Sequence, residues 1–261
     1  MRFSVYRKAF LFGLRQVTNY RVDTLISILS KIVSLLGVVF LWSIIGKSEG
    51  ISGVESLMAY FLIANGVQGL VDGESLRFSK EINANVKQGT LSAVLLRPTN
   101  PIIYMYSNFL GGRGVNISMQ LILICLGFVF LGGVSIIQID LFFVSVLVAF
   151  VVAFVFNLFI GSMSFWTSEA NHLQNVMSHI LRVFSGVLIP ISFFPETAKK
   201  ILMYSPFPVL GYLPSVVLQK NMADTEVIMT LASSIIWSII LLPICIWFWK
   251  RGVKRYEAIG I

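Results

Sequence analysis

The chain has 261 residues, 56% hydrophobic and 12% charged, with a net charge of +8 and a mean hydropathy of +0.84. A soluble domain carries about 25% charged residues, so this composition excludes an ordinary water-facing surface and leaves no length for a separate soluble domain of usual size. The positive balance does not point to nucleic acid, because the basic residues flank apolar runs instead of clustering on a polar domain.

The first element is predicted over 1–23. Phe3, Tyr6, Phe10, Leu14 and Val17 recur at three- and four-residue steps, which places them on one face of a helix lying in the membrane interface, apolar side down. Charges at Arg2, Arg7, Lys8, Arg15 and Arg21 without an early apolar core argue against a cleaved signal peptide. A first span is expected over 25–45, with Lys31 snorkelling to the headgroups. A short outer loop follows at 46–55. The second span, 56–71, is short and carries Asn65 and Gln68.

Residues 72–102 form the main cytoplasmic loop. Positions 81–88 suit a short helix with Gly89 as its C-cap. An apolar stretch at 91–96 ends at Arg97-Pro98, and Pro98 and Pro101 bracket a turn. Residues 102–113 enter the membrane obliquely or form a cytoplasmic helix, and end in the glycine-rich run Gly111, Gly112, Arg113, Gly114. A third span is expected over 115–131, a tight outer turn over 132–140 and a fourth span over 141–163, where Ser145 and Asn157 interrupt an otherwise apolar run. Residues 164–179 are assigned to a smaller cytoplasmic loop, and a fifth span to 180–194 with Arg182 at its cytoplasmic end.

The pattern then breaks. Pro190, Pro195, Pro206, Pro208 and Pro214 divide 190–220 into apolar pieces too short to cross a bilayer. Backbone freed by proline cannot face lipid unsatisfied, so two short re-entrant helices at the outer leaflet are expected. A sixth span over 227–249 ends in Lys250, Arg251, Lys254 and Arg255, with Trp247 and Trp249 as interfacial aromatics.

Fourteen of the twenty Lys and Arg residues lie in 1–23, 75–113 and 250–261, whereas the segments across the apolar runs hold only Lys47, Lys199, Lys200 and Lys220. Short loops rich in Lys and Arg stay cytoplasmic. Both termini and the 72–102 loop are therefore expected inside the cell, in a single transmembrane domain over 1–261. Catalytic motifs are missing from the sequence. Gly46-Lys47-Ser48 resembles the end of a phosphate-binding loop, but position 41 is Leu where that loop needs Gly. Cys125 and Cys245 sit inside apolar runs, and His172 and His179 have no Cys partners, so neither a disulfide framework nor a metal site is expected.

Several stretches carry a family resemblance. The loop reads Ile82…Gly89-Thr90-Leu91…Leu95-Leu96-Arg97-Pro98; further on stand Ser185-Gly186-Val187-Leu188-Ile189-Pro190, Phe194-Pro195 and Ser205-Pro206-Phe207; the tail reads Gly252-Val253-Lys254-Arg255-Tyr256-Glu257-Ala258-Ile259-Gly260. In order and spacing the chain resembles ABC-2-type transporter permeases over essentially its whole length. The resemblance implies an all-α integral membrane protein of the bacterial cytoplasmic membrane with six transmembrane helices, an N-terminal interfacial helix, a cytoplasmic coupling helix and short re-entrant helices between spans five and six. It implies pairing with a second six-span permease, identical or homologous, and docking of two ABC ATPase subunits that carry the ATP and Mg; this chain would hold no cofactor. By motif, Glu81, Ile82, Val86, Lys87 and Gly89 are the expected ATPase-coupling residues. Asn65, Gln68, Asn116, Gln120 and Asn157 are candidates for a substrate path, and the scarcity of buried charge favours an apolar or amphipathic cargo. The alternatives are an ion-coupled secondary transporter, which would use an intramembrane Asp or Glu, and a non-transporting sensor or anchor, which would not need the proline-broken segment.

Overall fold

The computed structural model describes residues 2–16, isolated positions between 26 and 44, and 54–256 apart from 74 and 220–223. The first span with Lys31, and the outer loop as far as residue 53, lie outside the described residues as continuous elements. All described secondary structure is helical. The helices are α1 (Arg2–Gln16), α2 (Val54–Val71), α3 (Arg77–Lys87), α4 (Leu91–Leu95), α5 (Pro101–Gly112), α6 (Gly114–Val129), α7 (Ile136–Ser162), α8 (Ala170–Phe184), α9 (Glu196–Met203), α10 (Tyr212–Gln219) and α11 (Asp224–Arg255).

Among the described residues, two stretches are long and apolar enough to cross a membrane, Ile136–Phe165 and Thr225–Arg255; α5 and α6 make a third if the pair, bent by 65°, counts as one span. The central mast is α7. Its N-terminus closes with a capping box, in which Ser135 Oγ accepts from the Gln138 N–H at 3.4 Å and Gln138 Oε1 accepts from the Ser135 N–H at 2.8 Å. Gln138 Nε2 also donates to Val217 O and Leu218 O, both at 3.1 Å, satisfying carbonyls at the end of α10. Near the other end, Asn157 makes bonds described below. The nineteen residue-to-residue steps from Gln138 to Asn157 rise about 28 Å at 1.5 Å each, which matches a hydrocarbon core of about 30 Å. Between 141 and 156 the sole polar side chain, Ser145, is satisfied by Phe142 O of its own helix at 2.7 Å.

Burial in lipid gives helices little hydrophobic reason to associate, so close packing must do it. The seam between α2 and α6 shows how. A Cβ on Gly66 would stand 2.6 Å from Ile124 Cγ1, and one on Gly127 would stand 2.5 Å from Ile63 Cγ1. Each isoleucine fills the space left by the other helix's glycine. The crossing of α1 over α5 is tighter still: a Cβ on Gly111 would lie 1.9 Å from Phe10 O, and one on Gly13 would lie 2.2 Å from Asn108 O. This crossing leaves Phe10, Leu11, Phe12 and Leu14 of α1 exposed.

Three expectations need revision. Residues 170–179 are not loop; α8 begins at Ala170 and turns Ala170, Gln174 and Leu181 inward. The apolar window 180–194 is not one helix, because α8 stops at Phe184 and Gly186 takes φ 79°, followed by Pro190 and Pro195, which lack N–H donors. Trp249 is not interfacial; it is buried against Phe165 with ring centroids 5.3 Å apart, whereas Trp247 is exposed. In the proline-rich segment the short helices fall at α9 and α10, with 3-10 turns at Ile191–Phe193 and Pro208–Leu210.

Substituting Gly111→Val should lift α1 from α5, because the clash is with backbone that cannot rotate away. Trypsin should then cut at Arg7 and Lys8 markedly faster than in the wild type, while Gly132→Val, which meets nothing within 4 Å, should leave the cleavage rate unchanged.

Candidate functional site

The short helix α3 carries a strongly two-sided pattern. Phe78, Ser79, Ile82, Asn83 and Val86 form one buried stripe at three- and four-residue spacing. Arg77, Lys80, Ala84, Lys87 and Gln88 are exposed on the other side. Of the residues predicted to meet an ATPase, Lys87 faces outward, Glu81 and Gly89 are half-buried, and Ile82 and Val86 are buried. The last two therefore anchor the helix from within and do not form its outer surface. Ile82 packs over Gly161 of α7, where a Cβ would stand 2.8 Å from Ile82 Cδ1. Phe78 joins Tyr106, Phe109 and Phe154 in a ring cluster, with centroids 5.0, 5.3 and 6.1 Å from its own. Each fully buried apolar side chain contributes about 1.5–3 kcal/mol to holding such a face down.

The start of α3 has an unusual problem. Its N-cap residue is Leu76, in a left-handed conformation (φ 47°) with no side-chain oxygen to offer. The unpaired N–H groups of the first turn are met from elsewhere. Asp72 Oδ2 accepts from Phe78 N at 3.1 Å, and Asn157 Oδ1 of α7 accepts from Ser79 N at 3.0 Å. Asn157 Nδ2 donates to Asp72 O and to Ala153 O, both at 3.0 Å. On the opposite flank α8 supplies two amides. Gln174 Nε2 donates to Ser79 O at 3.0 Å and to Ser79 Oγ at 2.9 Å, and Asn83 Nδ2 donates to Asn171 Oδ1 at 2.5 Å. The helix is thus clamped between α7 and α8 by carboxamides.

Asp72 itself is 2% exposed. Burial pushes its carboxyl above the usual carboxylate range; the Arg113 charge, the Phe78 N–H, the Arg77 charge and the Arg77 N–H pull it back. Arg113, in the elbow between α5 and α6, is 5% exposed. Its guanidinium donates to Leu70 O at 3.1 Å and to Gly69 O, capping the end of α2 as a cation should. Sequence reasoning passed over Arg113 as a loop cation. The available signal was a lone Arg inside the glycine run at an apolar boundary.

The five candidate path residues do not converge. Asn157 uses its amide group at the base of α3. Gln68 is buried at the break after α8, where its Nε2 donates to Ser185 Oγ at 2.7 Å. Tyr60 OH donates nearby to Gly186 O at 2.6 Å, and Tyr212 N to Ser185 O at 2.9 Å. Asn65 donates within its own helix to Phe61 O at 2.9 Å. Gln120 is buried in the α2–α6 seam, its carbonyl facing Gly66, and Asn116 is half-buried on the same helix. Asn157 and Gln68 thus serve the fold. Among the described residues no group of His, Cys, Asp and Glu is arranged to hold a metal.

Two predictions follow from this geometry. Arg113→Ala leaves two helix carbonyls without their donor and removes the largest charge that favours ionised Asp72; each orphaned carbonyl costs about 1–3 kcal/mol, and the unfolding temperature of the detergent-solubilised chain should fall by several degrees. Arg113→Lys should recover little, because an ammonium lacks the fork that reaches both carbonyls. Glu81 gives a pH dependence. Burial raises its carboxyl from 4.5 to about 7, opposed by a hydrogen bond with Asn108 and reinforced by the Asp72 charge. The neutral acid favours the docked helix; that contribution is complete below 4.5 and is lost as pH rises through about 7. Wild type should therefore lose unfolding temperature relative to Glu81→Gln as pH rises from 4.5 to about 7, the two curves separating most steeply between those values and running parallel well above 7.

Residues 28–260 match a protein family described as ABC-2 family transporter protein. No curated protein matches the chain at a significant level. The match covers nearly all of the helical body, including the clamped helix and both long apolar helices. Proteins of this family are non-catalytic membrane permeases that work with separate ABC ATPase subunits, where ATP is hydrolysed. An all-helical chain with two or three candidate spans, matched over this range, belongs to the ABC-2 family of transporter membrane components.

Proposed function

We propose that this chain is the six-span permease half of an ATP-driven exporter in a bacterial cytoplasmic membrane, with both termini and α3 on the cytoplasmic side. It pairs with a second permease and receives two ABC ATPase subunits, and α3 is the element through which they act. Lys80, Ala84, Lys87 and Gln88 form the surface offered to the ATPase, while Ile82 and Val86 pass its movement inward. The cargo is apolar or amphipathic, in keeping with the apolar interior of the mast. The helices α9 and α10 sit at the outer leaflet as re-entrant pieces.

The observation that supports this reading is the two-faced clamp on α3. A helix held by amides from both α7 and α8 cannot be displaced alone, so a push on its outer face is delivered to two neighbouring helices as a rigid-body movement. Beside its C-terminal end a groove of about 580 Å³ opens between Lys87, Thr167 and Arg255, large enough to seat side chains of a docked protein. An ATPase gains leverage only if it binds the two transport states with different affinity.

Single cysteines at Lys87 and Gln88 should cross-link to the co-expressed ATPase, and Lys80→Glu with Lys87→Glu should cut permease-stimulated ATP turnover at least tenfold without lowering the unfolding temperature. A cysteine at Lys199, far along the chain and expected outside, should not cross-link. Cross-linking at Lys199 but not at Lys87 would reverse the proposed topology, and full ATP turnover in the double variant would remove α3 as the contact.

A further inference from the structure

The last two turns of α11 carry a feature that the coupling reading does not use. Trp166, Trp247, Lys250, Arg251, Lys254 and Arg255 line a cavity of about 680 Å³. Among the described residues its lining is four cations and two indoles, without a carboxylate. Arg251 already lies over the Trp247 ring, its guanidinium carbon 5.5 Å from the centroid, and Trp166 stacks on Phe248 with centroids 4.2 Å apart. These contacts hold the indoles as walls.

A second groove, of about 430 Å³, runs along the neighbouring flank of the same helix, between Leu95, Pro101 and Ile102 on one side and Ile246, Trp249 and Val253 on the other. At 100° per residue Ile246, Trp249 and Val253 share one face, while Trp247, Arg251 and Arg255 share the next. Lys250 and Lys254 stand on the border and line both spaces. Each lysine can lay its methylene stem along the apolar groove and carry its ammonium into the basic cavity.

We propose that this pair of spaces binds one anionic phospholipid of the adjoining leaflet, its phosphate among Lys250, Arg251, Lys254 and Arg255 and an acyl chain in the groove beside Ile246 and Val253. Guanidinium groups match phosphate oxygens, and basic pockets at the cytoplasmic ends of membrane helices suit anionic headgroups. A free phosphate would need the basic cavity alone. The apolar groove that shares its two lysines favours a ligand with both a charged head and a chain. The exposed Trp247 has the posture of a headgroup-level aromatic. The site depends on the chain lying in a membrane, and not on α3 being the coupling helix, although Trp166 and Arg255 also line the groove at the end of α3.

Native mass spectrometry of the full chain in mild detergent tests this, with equal amounts of dioleoyl phosphatidylglycerol and dioleoyl phosphatidylcholine added. The wild type should retain one phosphatidylglycerol per chain with a preference on the order of tenfold. Lys250→Gln with Lys254→Gln should bring retention down to the phosphatidylcholine level. Ile246→Trp, which fills the groove and leaves every charge in place, should reduce it as well. Lys199→Gln with Lys200→Gln should behave as wild type. Equal retention of the two lipids by the wild type overturns the site, as does a preference that survives both the charge and the groove variants. Displacement by millimolar inorganic phosphate as effective as by phosphatidylglycerol would show an anion site and not a lipid site. Should the charge variant fail to insert, the groove variant and the phosphate competition decide.

Discussion

The first turn of α3 has no cap of its own, and the way its N–H groups are satisfied organises the inner half of the molecule. Leu76 brings no oxygen, so Asp72 and Asn157 provide them from the preceding turn and from the mast. An unpaired buried N–H costs about as much as a lost hydrogen bond together with its desolvation. Those two acceptors therefore fix the position of α3 to within hydrogen-bond distance. Asn157 in turn holds Asp72 O, Asp72 feels the charge of Arg113, and Arg113 caps α2. One chain of polar contacts runs from the mast through the loop to the end of α2 and the elbow of α5 and α6. Disturbing any member is felt by the others, because a partly satisfied buried network is worse than none.

Away from that knot the molecule is held by shape. The isoleucine-into-glycine exchange between α2 and α6 and the backbone contact of α1 with α5 are packing solutions suited to a solvent as apolar as the side chains themselves. A second polar cluster, Tyr60, Gln68, Ser185 and Gly186, sits where α8 stops. It does for the broken backbone there what the amides do for α3: carbonyls and hydroxyls that leave a helix must find partners if lipid surrounds them. Gln138, Asn157 and Gln68 thus mark places where backbone departs from helix, at both ends of the mast and at the break.

This has a bearing on function. Polar residues inside apolar runs invite the reading of a substrate path, yet the Asn157 carboxamide donates and accepts, and the Gln68 Nε2 donates, within neighbouring structure. Charge tells more than polarity. The buried charged side chains among the described residues, Asp72 and Arg113, sit together at the base of α3, where one accepts from the first turn of α3 and the other caps α2. Exposed cations stand on the outer face of α3 and at the end of α11, the two surfaces on which the proposed ATPase and lipid contacts rest.

The amino-acid sequence alone determined that the chain is an all-helical membrane protein, since 56% hydrophobic and 12% charged residues cannot cover a soluble surface. Its motif order also carried the family, and Gly89 announced a short helix in the 72–102 loop, placed at 81–88 where the structure has Arg77–Lys87. It could not show which face of that helix is buried, because Ile82 and Val86 read equally well as a docking patch and as an anchor until Gly161 is seen beneath them. Nor could it show that 170–179 is helix, because that segment's amphipathic stripe lacks an apolar run and a capping sequence; nor that the apolar window 180–194 breaks at Gly186. Periodicity and hydropathy are local sums. The tertiary structure decided the partners that lie far apart in sequence, Arg113 with Gly69 and Leu70, Ser79 with Asn157 and Gln174, Gln68 with Ser185, because a hydrogen bond between distant residues leaves no period in the chain that carries it.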